Sequence, residues 1–282
     1  MKAICETMGV ARSRQYERRQ EGVSARGRRY RRADDDRYLA LIRQIIDVRT
    51  TCGYRRVTVF LNRLLTRQGE PVVNPKRVYR LMEIGGLLLQ RSTGRPQRVH
   101  DGTIMTTRSN RRWCSDAFEI ACWSRERLRV VFSMDCCDRE ILSHVGTTGG
   151  IDGDMVRDLM VEAIEARFGP VERLPHRIEW LSDNGSAYIS RETVAFAKAV
   201  GFEVCTTPFY SPESNGMAEA FIKTFKRDYV HANPLYDARF VLEQLTKWFE
   251  DYNDHHPHKA LKMKSPREYR RLAAKLEMWP EK

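Results

Sequence analysis

The spacing of apolar residues changes near residue 112, and this change constrains the fold more than any other feature of the chain. Three short apolar runs come first, at Trp113 to Trp123, Leu128 to Met134 and Ile141 to Thr147. Helical and extended segments then alternate. Consecutive strands followed by alternating helix and strand predict an α/β (α+β) sheet with an antiparallel portion. The later segments are predicted as helices at Asp152 to Phe168, Arg191 to Val200, Asn215 to about His231 and Ala238 to about Tyr252, and as strands at Ile178 to Leu181 and Phe202 to Thr206.

Residues 34–90 show the helical period instead and predict a small three-helix domain. A run of three aspartates from Asp34 suits the start of the first helix, because carboxylates are favourable at a helix N-terminus. The third helix is predicted to begin at Asn74 and Pro75, as cap and first turn. The predicted core residues are Leu39, Ile42 and Ile46 in the first helix, Val57, Phe60, Leu61 and Leu64 in the second, and Val78, Leu81 and Met82 in the third.

Charge is divided unevenly along the chain. The formal net charge is +12, but residues 1–112 hold 26 Lys and Arg against 10 Asp and Glu, a net +16, and residues 113–282 hold 23 against 27. The excess in the first part is larger than solubility requires and favours a phosphate backbone as partner. An ordinary amphipathic helix also exposes Lys and Arg, but acids are nearly absent here, so the three-helix domain is predicted to bind DNA. The candidate contacts are Arg55 and Arg56 at the start of the second helix and Lys76, Arg77 and Arg80 on the third.

Composition sets the remaining domain boundaries. Residues 1–33 are rich in arginine, and either a truncated helix-turn-helix or a basic tail that folds only on DNA has this composition. Residues 91–112, with glycine, proline and six arginines, lack periodicity and are predicted to be a basic linker. The sheet-forming core is predicted at 113–235, and a helical extension with a proline-punctuated tail at 236–282.

Cysteine usage and hydropathy predict a cytoplasmic protein. The seven cysteines include no pair at the two-residue spacing of a zinc or redox motif, so reduced and mostly buried thiols are expected. No run approaches the roughly eighteen apolar residues of a membrane-spanning helix. His255, His256 and His258 resemble zinc ligands in type, but three histidines this close cannot close a tetrahedral site without distant partners.

Three carboxylates are the candidates for chemistry: Asp116, Asp183 and Glu219, the last two separated by 35 residues. Asp183 directly follows an apolar strand, where ligand sites of α/β sheets form, although Asp-Asn-Gly is also an ordinary Asx turn. Glu219 shares a helix face with Lys223 and Lys226, and a surface Glu to Lys pair is the alternative there. Carboxylates placed in this way suit a pair of hard divalent cations around a phosphodiester.

Several segments resemble the transposases of the IS-three insertion sequences, in particular their second-frame protein. They are WCSD around Asp116, SDNGS around Asp183, SPESNGMAEAFIKTFKRDY around Glu219, and YNDHHPHKAL with SPREY near the C-terminus. The segments GYRR and KRVYRLM of the three-helix domain resemble the family's helical DNA-binding domain. The resemblance covers nearly the whole chain.

The resemblance implies a ribonuclease H-like core of the retroviral-integrase type, in which Asp116, Asp183 and Glu219 form a DDE triad. It implies a transposase that binds insertion-sequence ends and uses Mg²⁺, or Mn²⁺ in its place, for DNA cleavage and strand transfer. Asp116 would bridge two ions and the other two acids would hold one each, with Lys223 and Lys226 on the DNA backbone. The implied partners are double-stranded DNA, further copies of the chain and the upstream-frame protein as a frameshift fusion, with the protein at the bacterial nucleoid when it is bound to DNA.

The chain departs from many family members in two places. Ala117 and Phe118 follow the first Asp where another residue and Thr are usual, and Lys262 and Met263 replace Gly-Tyr. These departures indicate the IS-two-like branch of the family.

Other interpretations stay open. Asp135 and Asp138 also follow a strand and compete as metal ligands, whereas the resemblance makes Asp135 structural. The resemblance also places His256 and His258 in a C-terminal motif, exposed or hydrogen-bonded. A catalytically silent DNA-binding regulator or remnant would use residues 1–112 alone, and a hydrolase of the ribonuclease H type would cut without joining ends.

Overall fold

A computed structural model of the protein describes residues 32–90, 106–206 and 216–277. The chain divides into two compact units, Met1–Arg91 and Ser92–Lys282. The predicted N-terminal segment and most of the basic linker lie outside the described residues, so both remain predictions. Within the described ranges, no helix has the length and apolar character to cross a membrane.

The first unit contains three helices: α1 Asp35–Val48, α2 Tyr54–Arg67 and α3 Pro75–Ile84. Helix α3 begins where the sequence predicts, because the Asn74 side chain accepts a hydrogen bond of 2.8 Å from the Lys76 N–H and Pro75 takes the first helical position. The three helices enclose one apolar core, and four of the predicted core residues lie only partly inside it. The buried members are Tyr38, Ile42, Ile45, Cys52, Val57, Leu61, Leu65, Val73, Val78, Leu81 and Met82, and the partly buried ones include Leu39, Ile46, Phe60 and Leu64.

The second unit is built on a five-stranded mixed sheet. Its strands are β1 Arg112–Ala121, β2 Arg127–Asp135, β3 Ile141–Thr147, β4 Ile178–Ser182 and β5 Phe202–Thr206. They lie in the order β3-β2-β1-β4-β5, with β1, β2 and β3 antiparallel and β1, β4 and β5 parallel. The antiparallel portion that the sequence predicts is therefore the opening meander.

Helices cover both faces of this sheet. Helices α4 Gly153–Phe168, α5 Ser186–Ile189 and α6 Arg191–Val200 connect the later strands. After β5 come α7 Gly216–Phe225, a π-helical turn Lys226–Val230, α8 Ala238–His255, a 3₁₀ turn Lys259–Leu261 and α9 Pro266–Glu277.

Strand β1 separates two apolar cores, because successive side chains of a strand point to opposite faces. Trp113 belongs to the core beneath α4 and α6, whereas Cys114 and Phe118 belong to the core beneath α7 and α8. Aromatic rings dominate the second core, and the rings of Phe225 in α7 and Phe249 in α8 stack with centroids 4.6 Å apart. Helix α7 is thereby fixed against the face of β1 that carries the even-numbered residues.

The C-terminal helices differ from the prediction in two ways. The single helix expected to reach about His231 is interrupted after Phe225, where a wider π-helical turn brings Tyr229 and Val230 together into the core. The proline-punctuated tail contains a regular helix, α9. It begins with a capping box, in which the Glu268 side chain accepts from the Ser265 N–H at 2.9 Å.

Candidate active site

Two of the three candidate carboxylates lie side by side on neighbouring parallel strands. Cys114 of β1 pairs with Leu181 of β4 in the parallel register. Asp116 and Asp183 each come two residues later, so the two acids occupy the same row across the sheet. Asp183 directly follows the last residue of β4, as the sequence predicts.

The third carboxylate comes to the same face of the sheet from helix α7. Cys114 and Leu181 both belong to the core that contains Ala218 of α7. Asp116 and Asp183 follow them by two residues and therefore point toward the α7 side. Glu219 is next to the buried Ala218 in α7 and is about half-exposed. The structure thus brings the three predicted acids to one face.

The electrostatics of Asp116 reflect this convergence. Burial raises the pKa of Asp116 to about 6, against the hydrogen bond from the Ala117 N–H, and the negative charges of Asp183 and Glu219 raise it further. The Ala117 N–H donates to Asp116 Oδ1 at 2.7 Å. A half-buried carboxylate that faces two other acids is costly to ionise, and an added positive charge would stabilise it.

Asp183 is oriented by the turn that follows it. Its Oδ1 accepts a hydrogen bond of 3.0 Å from the Gly185 N–H, so the Asx turn considered from the sequence is present. A Cβ at Gly185 would lie only 3.0 Å from that oxygen, which favours glycine here. The turn leads into α5, where the buried Tyr188 hydroxyl lies 2.9 Å from Ser115 Oγ. The Asx turn is therefore compatible with a functional role, since it fixes the carboxylate.

The two lysines predicted beside Glu219 have different surroundings. Lys223 is exposed, and its Nζ lies 3.4 Å from Glu219 Oε2, which is the surface pair considered from the sequence. Lys226 begins the π-helical turn, and its Nζ lies 5.7 Å from the centroid of the Phe118 ring. Both side chains lie on the α7 side of the sheet near the acids.

The three acids fit a divalent cation in their chemistry. They offer only carboxylate oxygens, the donors that Mg²⁺ prefers, and their mutual repulsion is what a cation would relieve. Among the described residues, however, no group of three or more His, Cys, Asp or Glu side chains is already arranged around one point as a metal site. Side-chain rotation is needed to close the set, and Glu219 has to leave Lys223 to take part.

Asp135 lies on the opposite face of the sheet. It pairs with Trp113 across the strands, and its Oδ2 accepts from the Trp113 indole N–H at 3.1 Å and from the Asn110 N–H at 2.6 Å. Its Oδ1 accepts from the Cys137 N–H at 2.7 Å. Burial raises the pKa of Asp135 to about 6, and its carboxylate is fully enclosed. These contacts support the structural interpretation of Asp135.

An arginine that sequence reasoning missed balances this buried charge. Arg167, in the last turn of α4, contacts Asp138 at 3.0 Å and Asp135 at 3.7 Å while its side chain is 2% exposed. Glu140 joins the cluster and also receives Arg267 of α9 at 3.0 Å. The sequence carries no signal for this network, because its members come from segments far apart in the chain.

The histidines contribute packing. His256 is buried, its ring stacks on Tyr252 with centroids 5.3 Å apart, and its Nδ1 lies 3.5 Å from the Tyr229 hydroxyl. His258 is half-buried against the edge of the same Tyr252 ring. Of the two environments predicted for His256, exposed or hydrogen-bonded, the hydrogen-bonded one agrees with the structure.

The basic residues predicted to contact DNA divide into two groups. Arg55 and Lys76 are exposed and Arg56 is half-buried. Arg77 and Arg80 instead bind the buried carboxylate of Asp35 in α1, at 2.8 and 2.5 Å. Both are predicted as DNA contacts of the third helix, but Asp35 draws them inward and leaves their side chains only 16% and 20% exposed. Their contact with DNA stays a prediction.

Known protein families match the two units separately. A family described as an HTH-like domain matches residues 33–95, and families described as an integrase core domain match residues 106–212 and 201–266. Fold, carboxylates and matches together define the class: a polynucleotidyl transferase with an integrase-type core that follows a helical DNA-binding domain.

One relative fixes the family within this class. Over 251 residues the chain is 48% identical to the transposase InsD for insertion element IS2A/D/F/H/I/K of Escherichia coli, an alignment that covers 88% of this chain and 83% of that protein. The chain belongs to this family of insertion-sequence transposases. The resemblance to the IS-three family is confirmed, and a catalytically silent regulator is not favoured.

The similarity to solved structures is weaker. A chain of the simian T-cell lymphotropic virus intasome, in complex with a PP2A regulatory subunit, is 17% identical with a TM-score of 0.49, over 78% of this chain and 71% of that one. The catalytic core domain of BIV integrase is 14% identical with a TM-score of 0.43, over 60% of this chain and 99% of that one.

Proposed function

We propose that this transposase cuts the ends of its element and joins them to target DNA with Asp116, Asp183 and Glu219 as its catalytic residues. One observation carries the proposal: Asp116 and Asp183 share a row on neighbouring parallel strands, and Glu219 of α7 approaches the same face. Asp135, the competing acid, lies on the other face with its hydrogen-bonding capacity used.

The proposed cofactor is Mg²⁺, with Mn²⁺ as a substitute and two ions in the site. Bound divalent cations activate the attacking hydroxyl and stabilise the charge on the departing oxygen of a phosphodiester. The chain's own residues fix the ligands. The Ala117 N–H orients Asp116, the Gly185 N–H orients Asp183, and the packing of Phe225 against Phe249 holds the helix that carries Glu219.

Lys223 and Lys226 supply the DNA backbone contacts in this proposal. Lys223 can exchange its pairing with Glu219 for a phosphate oxygen when Glu219 turns to a cation, because a surface pair of this kind contributes only about 0.3–0.5 kcal/mol. Lys226 lies beside Phe118, two residues along β1 from Asp116. Both would hold the backbone near the reacting phosphate.

The remaining parts of the proposal concern partners and the division of labour. The helical domain at 34–90 would read the element ends, with Arg55, Arg56 and Lys76 in contact with DNA and residues 1–33 and 91–112 on the backbone. The core at 113–235 would do the chemistry, supported by the extension at 236–282. Two ends must be joined to one target, so a homo-oligomer on DNA is proposed, with the upstream-frame protein as a fusion partner. Charge separation along the chain supports this division.

The triad predicts a specific mutational result. Asp116→Asn, Asp183→Asn and Glu219→Gln each remove a ligand charge and preserve shape, so cleavage and joining should both fall by at least about a thousandfold, while binding to element ends persists. This magnitude corresponds to about 4 kcal/mol of lost transition-state stabilisation. Labelled element ends with Mg²⁺ or Mn²⁺, with nicked and joined products scored separately, provide the measurement.

Two other acids serve as controls. Glu119→Gln changes an exposed acid of the same strand and should leave cleavage near the original rate. Asp135→Asn should lower thermal stability, with any reduction in activity proportional to the unfolded fraction. Chemistry that persists in Glu219→Gln, or that disappears in a well-folded Asp135→Asn protein, would show that the wrong acids have been chosen.

A further inference from the structure

Basic side chains collect along the outer edge of the sheet, at strand β5. Two open cavities, of about 330 and 700 Å³, flank this strand and share Arg177 and Glu203 in their linings. We call the charged lining of both cavities the edge rim. Its members are the cations Arg111, Arg112, Arg173, Arg177 and Lys198 and the acids Glu179 and Glu203.

The edge rim has an excess of positive charge. Both of its acids already have partners, since Arg112 binds Glu179 and Arg177 binds Glu203 at 2.6 Å. The five cations and two acids leave a net charge of +3, carried by the exposed Arg111, Arg173 and Lys198. Residues 106–282, which contain every member of the rim, carry a net −1 as a whole. The rim is therefore a local basic surface on a nearly neutral core.

The segment that carries Arg173 and Arg177 is held in place. The Leu174 N–H donates to the Val200 carbonyl at 2.9 Å, and His176 Nε2 lies 3.1 Å from the Asn110 carbonyl oxygen. Gly201 has a φ of +104°, and a Cβ there would meet Arg173 Cγ at 3.5 Å, so the aliphatic part of the arginine lies against the chain. Cations fixed in this way lose little conformational entropy when they bind a ligand.

The sheet register relates the edge rim to the active site. Arg112, Glu179 and Glu203 form one row across β1, β4 and β5. The row of Asp116 and Asp183 comes four residues later, on the same face, at about 13 Å given the rise of a strand. This distance equals about four base pairs of duplex at 3.4 Å each.

Charges at an edge strand also have a protective function, because they prevent pairing with another chain. Such charges normally lie on the edge strand itself and need not share a sign. Strand β5 carries only one charged residue, Glu203, and the cations come from the start of β1, the segment before β4 and the end of α6. Positively charged side chains from three different segments that meet at one edge favour an anionic ligand.

We propose that the edge rim binds the phosphodiester backbone of the DNA that occupies the active site, with its Arg112 row about four base pairs from the reacting phosphate. The inference rests on the proposed function of the three acids. Phosphate oxygens fit arginine and lysine side chains, and the fixed spacing to the acids aligns the duplex. The ligand is either target DNA or an element end, which share this backbone.

Combined removal of the exposed cations tests the rim. In the full chain, Arg111→Ala with Arg173→Ala and Lys198→Ala should raise the KM for DNA about tenfold or more, with a smaller effect on kcat. The slope of log K against log salt should become shallower by about 0.9 for each phosphate that the variant no longer neutralises. Comparing target DNA with element ends as the varied substrate identifies which of the two occupies the rim.

Two further variants separate binding from folding. Arg239→Ala removes an exposed cation of α8, whose Nε lies 3.4 Å from Glu243 Oε1, and should change neither KM nor the salt slope. Glu203→Gln releases Arg177 and should tighten DNA binding several-fold, whereas a purely structural ion pair predicts lower stability and no gain. Unchanged KM and salt slope in the triple variant would overturn the proposal while cleavage by the triad stands. Absence of cleavage in the unmodified protein would instead refute the proposed function.

Discussion

At the scale of single residues, partners rather than burial distinguish the catalytic candidate from the structural acid. Burial raises the pKa of both Asp116 and Asp135 to about 6. Asp135 has Arg167 and several N–H donors around it, whereas Asp116 has one backbone donor and two acids. A perturbed pKa alone would thus have selected two sites. Among the described residues, the accompanying charges identify Asp116 as the acid that lacks a cation.

His144 of β3 predicts a pH dependence of folding. Burial lowers the pKa of His144 from its usual value to about 4. At this site the unfolded chain therefore binds a proton between about pH 6.5 and 4 that the folded chain does not, so the contribution of His144 to stability is largest above this window and falls as the pH drops through it. The raised pKa values of Asp116 and Asp135 act with the opposite sign in the same window, so the His144 contribution is measured against a variant that lacks the imidazole. The His144 contribution should fall by about 3 kcal/mol across this window, at about 1.4 kcal/mol per pH unit, measured by urea unfolding at a series of pH values.

His144→Gln is the matched variant for that measurement. The glutamine retains a polar side chain near Thr246, whose Oγ1 lies 3.5 Å from His144 Nε2, but it does not titrate. Removing the imidazole that packs on the Phe249 ring should lower stability at every pH, so the slope is the diagnostic quantity rather than the absolute value. If the free energy of unfolding depends on pH between 6.5 and 4 in the same way in His144→Gln and in the original protein, the pH dependence does not come from His144.

At the scale of elements, helix α3 is held to α1 by charge as well as by apolar contacts. Asp35 is 3% exposed and accepts from Arg77 and Arg80, and the Arg77 guanidinium also lies 4.6 Å from the centroid of the Tyr38 ring. These arginines orient the helix that is predicted to read DNA. Lys76, one residue before Arg77, remains exposed to a ligand.

Variants of α3 should therefore distinguish residues that hold the helix in place from residues that contact DNA. Arg77→Ala leaves the buried Asp35 short of a partner and should destabilise the first unit by about 1–3 kcal/mol. Lys76→Ala should weaken DNA binding for all sequences alike with little change in stability. Hydrogen exchange of the α3 amides measures the first effect and DNA titration the second. Faster exchange in Lys76→Ala than in Arg77→Ala would reverse these roles.

At the scale of the whole molecule, the sequence predicts what depends on local periodicity and misses what depends on distant partners. The alternation of apolar runs predicts all five strands, and Asp183, directly after the end of β4, is found for the same reason. The inward turn of Arg77 depends on an aspartate 42 residues away, and Arg167 balances Asp138, which lies 29 residues before it. Neither pairing has a local signal. The π-helical turn after Phe225 escapes prediction because helical periodicity continues through it.

The structure also shows where the chain should be cut to test which part binds the element ends and which part carries the catalytic acids. A cut after residue 112 would remove Arg112, whose side chain binds Glu179 and whose carbonyl accepts from the Cys136 N–H at 3.0 Å. A cut between residues 105 and 106 preserves strand β1. It leaves net charges of +13 on residues 1–105 and −1 on residues 106–282.

The two fragments should then differ in how they bind DNA. Residues 1–105 should bind element ends with sequence preference, and their affinity should fall steeply with salt, by about 0.9 in log K per unit of log salt for each phosphate neutralised, because bound counterions are released. Residues 106–282 should bind weakly and without preference, since only the edge rim and the lysines of the α7 region favour DNA there. Titration of each fragment with element ends and with unrelated DNA, at several salt concentrations, provides the comparison. Sequence preference in residues 106–282, together with indifferent binding by residues 1–105, would mean that the core and not the helical domain recognises the ends.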